Sequence, residues 1–132
     1  MLFVNFMKSF YVNTSKDIDL ILLSHEVRTA LREVKAETGN ALVIVPFPGA
    51  GLVVLGSSGE DMEGLRKGLR EFHQKCVVAC FLPKCLVLPI DKGRLIIEPW
   101  QEIYLVDYEI MGKRRELQVK FTPDVQEAKK PS

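Results

Sequence analysis

At 132 residues and 15.0 kDa, the chain has the length of a single domain, enough to bury a core without disulfide staples. Hydrophobic residues at 47% and charged residues at 27% exclude the composition of a disordered segment. The balance of 18 basic against 17 acidic side chains leaves a net charge of +1, so no long-range field draws the protein to nucleic acid or another polyanion.

The opening MLFVNFMKSFYV lacks both a basic stretch ahead of its apolar part and a small-residue cleavage site, and reads as a strand rather than a signal peptide. The apolar runs Leu42–Val45 and Val77–Leu82 are far below the ~20 residues of a membrane span. A soluble, cytoplasmic protein without membrane contact is expected. Three cysteines, an odd number without an export signal, fit free thiols in a reducing compartment.

In chain order, Phe3–Val12 alternates as a half-buried strand and Asn13–Asp17 as a turn. Ile18–Leu23 reads as a strand or the approach to a helix. Ser24 is placed to cap that helix, whose apolar face is Val27, Ala30, Leu31 and Val34, with Gly39-Asn40 as its stop. Glu26, Arg28, Arg32, Glu33, Lys35 and Glu37 form a charged stripe, read as a solvated face. Ala41–Val45 predicts a strand covered on both sides, the Pro46–Gly51 loop follows, and Leu52–Leu55 resumes the strand pattern. Ser58 or Asp61 can cap a second helix running to Gln74, with Gly64 and Gly68 one turn apart pointing to close packing on a neighbour. Val77–Leu82 and Leu86–Ile90 read as strands, Asp91-Lys92-Gly93 as a turn, and Leu95–Ile97, Ile103–Ile110 and Glu116–Phe121 as further strands. Two helices among about eight short strands make an α+β domain over residues 1–121, mostly antiparallel because the late connections are too short for crossovers. A polar, frayed tail is expected over 122–132.

Few residues suggest chemistry. The glycines of Pro46–Gly51 run into a strand rather than into a Lys-Ser/Thr at a helix start, which argues against a phosphate-cradling loop. His73, Cys76, Cys80 and Cys85 have the right chemistry for zinc but the wrong spacing, so buried, inert thiols and no metal are expected. His25 and His73 have ordinary places at helix ends, and no serine or cysteine shows a base spaced to activate it. The strongest cluster is Trp100-Gln101-Glu102 with Arg94 nearby. It can bring an indole face, an amide and a guanidinium to one cleft for a small anion, or else Trp100 fills the core or a subunit contact. Arg114-Arg115, after Lys113, is a second anion candidate or a solvated turn.

Gly93-Arg94-Leu95, Trp100-Gln101, Ile103-Tyr104-Leu105 and the Gly112 turn with Arg114-Arg115 resemble the closing signature of the YjbQ-like family. Its members are largely uncharacterised and associated with a secondary thiamine-phosphate synthase activity. The resemblance spans roughly Phe10–Phe121 and implies a two-layer β-sandwich with two helices, a homotrimer, and a polar pocket near the subunit contacts. It also implies histidine and threonines after the central Val-Pro, where this chain has Phe47, Pro48 and Gly49, and a histidine-containing segment before Val77–Leu82 that is absent. Phenylalanine neither shuttles protons nor binds metal. The expectation is therefore a non-catalytic member without cofactor or metal, binding a small phosphate-type anion through Arg94, Trp100, Gln101 and Arg115. The alternatives are a thiamine-phosphate synthase-type transferase and a structural or protein-interaction subunit built on the Pro46–Gly51 loop.

Overall fold

A computed structural model describes residues 6–56, 58–71, 75–110 and 112–124. The strands are β1 (Phe6–Asn13), β2 (Asp19–Leu22), β3 (Gly39–Ile44), β4 (Ala50–Gly56), β5 (Cys85–Asp91), β6 (Arg94–Leu95), β7 (Gln101–Asp107) and β8 (Arg114–Pro123). The helices are α1 (Ser24–Val34), α2 (Gly59–Glu71) and α3 (Lys75–Phe81). A five-stranded sheet has the order β1-β8-β3-β5-β6 and a three-stranded sheet the order β2-β7-β4. Neighbouring strands pair antiparallel throughout.

The alternation of β8 buries Leu117, Val119 and Phe121 completely, aiming them at the three-stranded sheet. β7 is buried on both faces. Its Ile103 and Leu105 join α1 and the inner face of the five-stranded sheet in one core, while Tyr104 and Val106 face Leu69, Val78 and Leu82 in a second. The molecule is thus an α+β sandwich of antiparallel sheets, with α1 packed into the core between them and α2 and α3 laid on the far side of β2-β7-β4.

Val77–Leu82 is not a strand but falls on α3 and the residue after it. Val78 and Leu82 lie one turn apart and are both buried in the second core, with the Leu82 N–H donating to the Val78 carbonyl at 3.3 Å. A short apolar run has no period of its own, and docking on a sheet decided between helix and strand. The helix count is accordingly three among the described residues.

α1 starts where expected, but Ser24 does not cap it. Leu23 holds the N-cap position without a side-chain bond, and the buried Ser24 Oγ accepts the Ile103 N–H at 2.9 Å instead. The helix stops at Lys35, in the left-handed conformation at φ 53°, four residues before Gly39. Gly39, at φ 141°, serves β3: a Cβ there would stand 2.2 Å from the Thr122 carbonyl oxygen of β8. That pairing carries β8 to Pro123, past the expected end at Phe121.

Ala41–Val45 is covered on one side only. Ala41, Val43 and Val45 are buried, whereas Leu42 and Ile44 are half-exposed on the outer face of the five-stranded sheet. Ser58 does cap α2, its Oγ accepting the Asp61 N–H at 3.1 Å. Gly64 and Gly68 do not pack closely on anything described: a Cβ on either meets open space.

Candidate functional site

α1 and the β5–β6 hairpin flank a cleft of about 520 Å³ lined by Arg28, Leu31, Arg32, Gly93, Arg94, Leu95 and Pro99. Local sequence explains its walls. Leu31 and Leu95 belong to the core and anchor the helix and the hairpin at its base. Arg28 and Arg32, four residues apart, stand one above the other on the same helix face. Lys92 and Gly93 both have positive φ, at 53° and 74°, as a two-residue hairpin turn of matching twist requires. The Gly93 N–H donates to the Glu37 carbonyl at 3.0 Å, which fixes the hairpin against the segment after α1.

The cleft is cationic. An Arg28 Nη lies 3.6 Å from a Glu102 carboxylate oxygen, and Arg32 donates to Thr29 Oγ1 at 3.2 Å. Among the described residues the exposed Arg94 side chain has no hydrogen bond or ion pair. On sequence alone Arg28 and Arg32 belong to a solvated stripe. The missed signal is that neither has an acidic residue three or four positions away, so the helix itself supplies no partner for either.

Of the four residues singled out, Arg94 lines the cleft and the other three do not. Trp100 is 62% exposed, with its Cδ1 3.9 Å from where a Cβ on Gly56 would stand; it fills no core. Gln101 is occupied locally: its Oε1 accepts the Glu98 N–H and its own N–H donates to the Glu98 carbonyl, both at 3.0 Å. Gln101 therefore closes the turn through Pro99 and Trp100 at the cleft's edge.

Arg115 lies at the other end of the sheet. Arg94 pairs with Asp91, beside the Gly39 end of β3, whereas β8 passes the Ile44 end at Gln118 and reaches Arg115 three residues further on. Five strand residues alone span ~17 Å, so one small ligand cannot touch both arginines.

At that far end opposite charges face one another, though Arg115 Nε and one Asp107 oxygen are buried without a hydrogen bond among the described residues. Arg115 bonds Glu109 at 2.9 Å and lies 3.7 Å from Asp107, while its guanidinium stacks 4.4 Å from the centre of the Phe47 ring. Asp107 is fully buried and also accepts the Glu109 N–H at 2.9 Å. Lys84 donates to the Phe47 and Ala50 carbonyls. Partial burial, and then the charge of Arg115, lower its pKa from the usual lysine value, against an opposing pull from Glu109.

Among the described residues no group of three or more His, Cys, Asp or Glu side chains is placed to hold a metal ion. His73 and the side chain of Cys76 lie outside them. Cys80 and Cys85 are exposed and not disulfide-bonded, which corrects the expectation of buried thiols. No described helix is long and apolar enough to cross a membrane.

Fold and site together define a small α+β sandwich protein with an arginine-lined cleft at one end of its larger sheet. The chain belongs to the family described as UPF0047 protein YjbQ-like, whose sequence model matches residues 8–124. The curated UPF0047 protein YugU of Bacillus subtilis (strain 168) is 24% identical, over 78% of this chain and 89% of its own. Among solved structures, a YbjQ-like protein of unknown function from Sulfolobus solfataricus P2 is similar with a TM-score of 0.83 at 20% identity, covering 93% of this chain and 100% of that one. An uncharacterised yjbq/upf0047 protein from Clostridium acetobutylicum gives 0.78 at 20% identity, covering 86% and 98%. At such identities the likeness is one of fold.

Proposed function

We propose that the protein is a cytoplasmic, non-catalytic binder of a small phosphate-type anion, held in the cleft between α1 and the β5–β6 hairpin. The observation that carries this is the convergence of Arg28, Arg32 and Arg94 on one cavity, with Arg94 lacking a protein partner among the described residues. Guanidinium groups match phosphate oxygens bidentately and stay charged at any physiological pH. Binding without catalysis is favoured because the lining side chains include no imidazole or thiol to accept a proton, and the Glu102 carboxylate beside them is already the partner of Arg28 at 3.6 Å. Arg115 belongs to the internal charge network rather than to this site.

Calorimetric titration with inorganic pyrophosphate and phosphate tests the proposal, with Trp100, the single tryptophan, as a fluorescent reporter one residue from the cleft. Binding should weaken at least about tenfold in Arg94→Ala with no change in melting temperature. Neither heat nor fluorescence change at millimolar anion would overturn it.

We also propose a homotrimer. Met7, Leu42, Ile44 and Val87 share the outer face of the five-stranded sheet by strand register, and Met7 and Val87 are more than half exposed. Lys120 of β8 stands between Met7 and Leu42 on the same face, and a second layer there would remove these apolar side chains from water. Sedimentation equilibrium giving a monomer mass at micromolar concentration refutes the trimer and leaves the anion site standing.

A further inference from the structure

We infer that Glu102 is a built-in competitor for the ligand: its carboxylate occupies Arg28 while the cleft is empty and is displaced when an anion binds, so that it sets the affinity of the site. This rests on the anion-binding reading above.

The scaffold keeps the pair together. Ile103 accepts the Leu23 N–H through its carbonyl at 2.8 Å and donates its own N–H to Ser24 Oγ at 2.9 Å, which ties β7 beside Glu102 to the start of α1. Arg28 stands one helical turn beyond Ser24. The ion pair so enforced is nonetheless weak. Its 3.6 Å separation exceeds hydrogen-bond length, and both side chains are partly exposed, at 42% and 26%, the regime in which a pair is easily exchanged. A phosphate oxygen making charge-assisted bonds of ~2.8 Å is the stronger partner for the same guanidinium. The other groups around the exchange are Arg32 and Arg94, which favour the incoming anion, and Glu37, whose carboxylate comes within 4.0 Å of a Cβ built on Gly93. His25 precedes Arg28 by three positions on α1, and Tyr104 lies close enough to Glu102 to feel its charge. Burial, and then the negative charge of Glu102, raise the Tyr104 pKa above the usual phenolic value, so the phenol stays neutral throughout.

The test is calorimetric titration of the full chain with inorganic pyrophosphate at fixed ionic strength. Glu102→Gln, which keeps the shape and loses the charge, should tighten binding about threefold to fivefold, the scale of a partly exposed ion pair. Glu102→Asp, which keeps the charge, should remain near wild type. Glu71→Gln, an equal charge change on α2, should have no effect. Arg28→Gln should weaken binding more in the Glu102→Gln background than in wild type, because only there is Arg28 unoccupied beforehand; a merely structural Glu102 would not produce that coupling. Equal or weaker binding by Glu102→Gln, with wild type binding and Arg94→Ala failing, overturns the competitor and leaves the anion site intact. Absence of binding by wild type and Glu102→Gln alike overturns both.

Discussion

Arg115→Met should destabilise the protein by about 3–5 kcal/mol while leaving the anion cleft unaltered. Asp107 has no exposed surface. One of its oxygens takes the Glu109 N–H; the other has no hydrogen bond among the described residues and lies 3.7 Å from Arg115 Nε. Removing the guanidinium leaves a buried carboxylate without compensation, which is the expensive way to break such a pair. It also loses the 2.9 Å bond to Glu109 and the stacking on Phe47, worth roughly 0.5–2 kcal/mol, while methionine keeps most of the aliphatic packing. Asp107→Asn is the gentler change. It retains an acceptor for the Glu109 N–H and leaves Arg115 with Glu109, so about 1–2 kcal/mol is expected. The double variant should cost less than the sum, with a coupling of roughly 1–3 kcal/mol. Against a total stability of ~5–15 kcal/mol, urea denaturation followed by circular dichroism resolves these steps, provided the slope against denaturant is unchanged. A loss below about 1 kcal/mol for Arg115→Met, or strict additivity, would show that the network contributes nothing beyond its parts.

Gly64→Ala and Gly68→Ala should each stabilise the chain by about 0.5–1 kcal/mol, because a Cβ at either meets open space on α2; a lower melting temperature would mean that something does pack there. Gly39→Ala should do the reverse and cost more than about 1 kcal/mol, since its φ is 141° and the added carbon collides with the Thr122 carbonyl; an unchanged urea midpoint would contradict the β3–β8 pairing at that point. The Ile18 N–H, and then Arg70, lower the pKa of Asp17, so the contribution of this group is present above the unfolded carboxylate value near 3.8 and is lost as pH falls through the lower folded one. Asp17→Asn should therefore flatten the acid limb of stability against pH below about 4, and an identical limb in the variant would remove Arg70–Asp17 from the account.

Where the sequence carried a period, the fold was legible in it. β8 announces itself by the alternation of Leu117, Val119 and Phe121, and α1 by Val27, Ala30 and Leu31. Where it carried only hydrophobicity, reading failed. Val77–Leu82 is a short apolar run, and its helical state depends on Val78 and Leu82 meeting the same core. Ser24 looked like a cap because serine favours that place, but a partner 79 positions away claimed its hydroxyl. The cleft was half legible. Arg94 stood out beside the Trp100-Gln101-Glu102 cluster and by resemblance, while Arg28 and Arg32, marked in sequence only by the lack of an acidic residue three or four positions away, become site residues when β6 folds back beside α1.

The two charged regions at opposite ends of β3 differ in how firmly their cations are already held. At the Ile44 end, Arg115 and Lys84 face Asp107, Glu109 and two backbone carbonyls, and an incoming anion would have to strip cations from partners already inside hydrogen-bond distance. Desolvation there raises the stakes of every unpaired charge, so the region is suited to holding the Phe47 loop and poorly suited to exchanging partners. At the Gly39 end, three guanidiniums line an open cavity and, among the described residues, only Arg28 has a carboxylate partner, at 3.6 Å. Like-charged arginines gathered at one cleft repel one another when it is empty, a cost that a bound anion reverses. If the cleft holds the proposed anion, stability comes from the Arg115 cluster and affinity from the cleft, so Arg115→Met should lower stability without weakening binding, and Arg94→Ala should do the opposite.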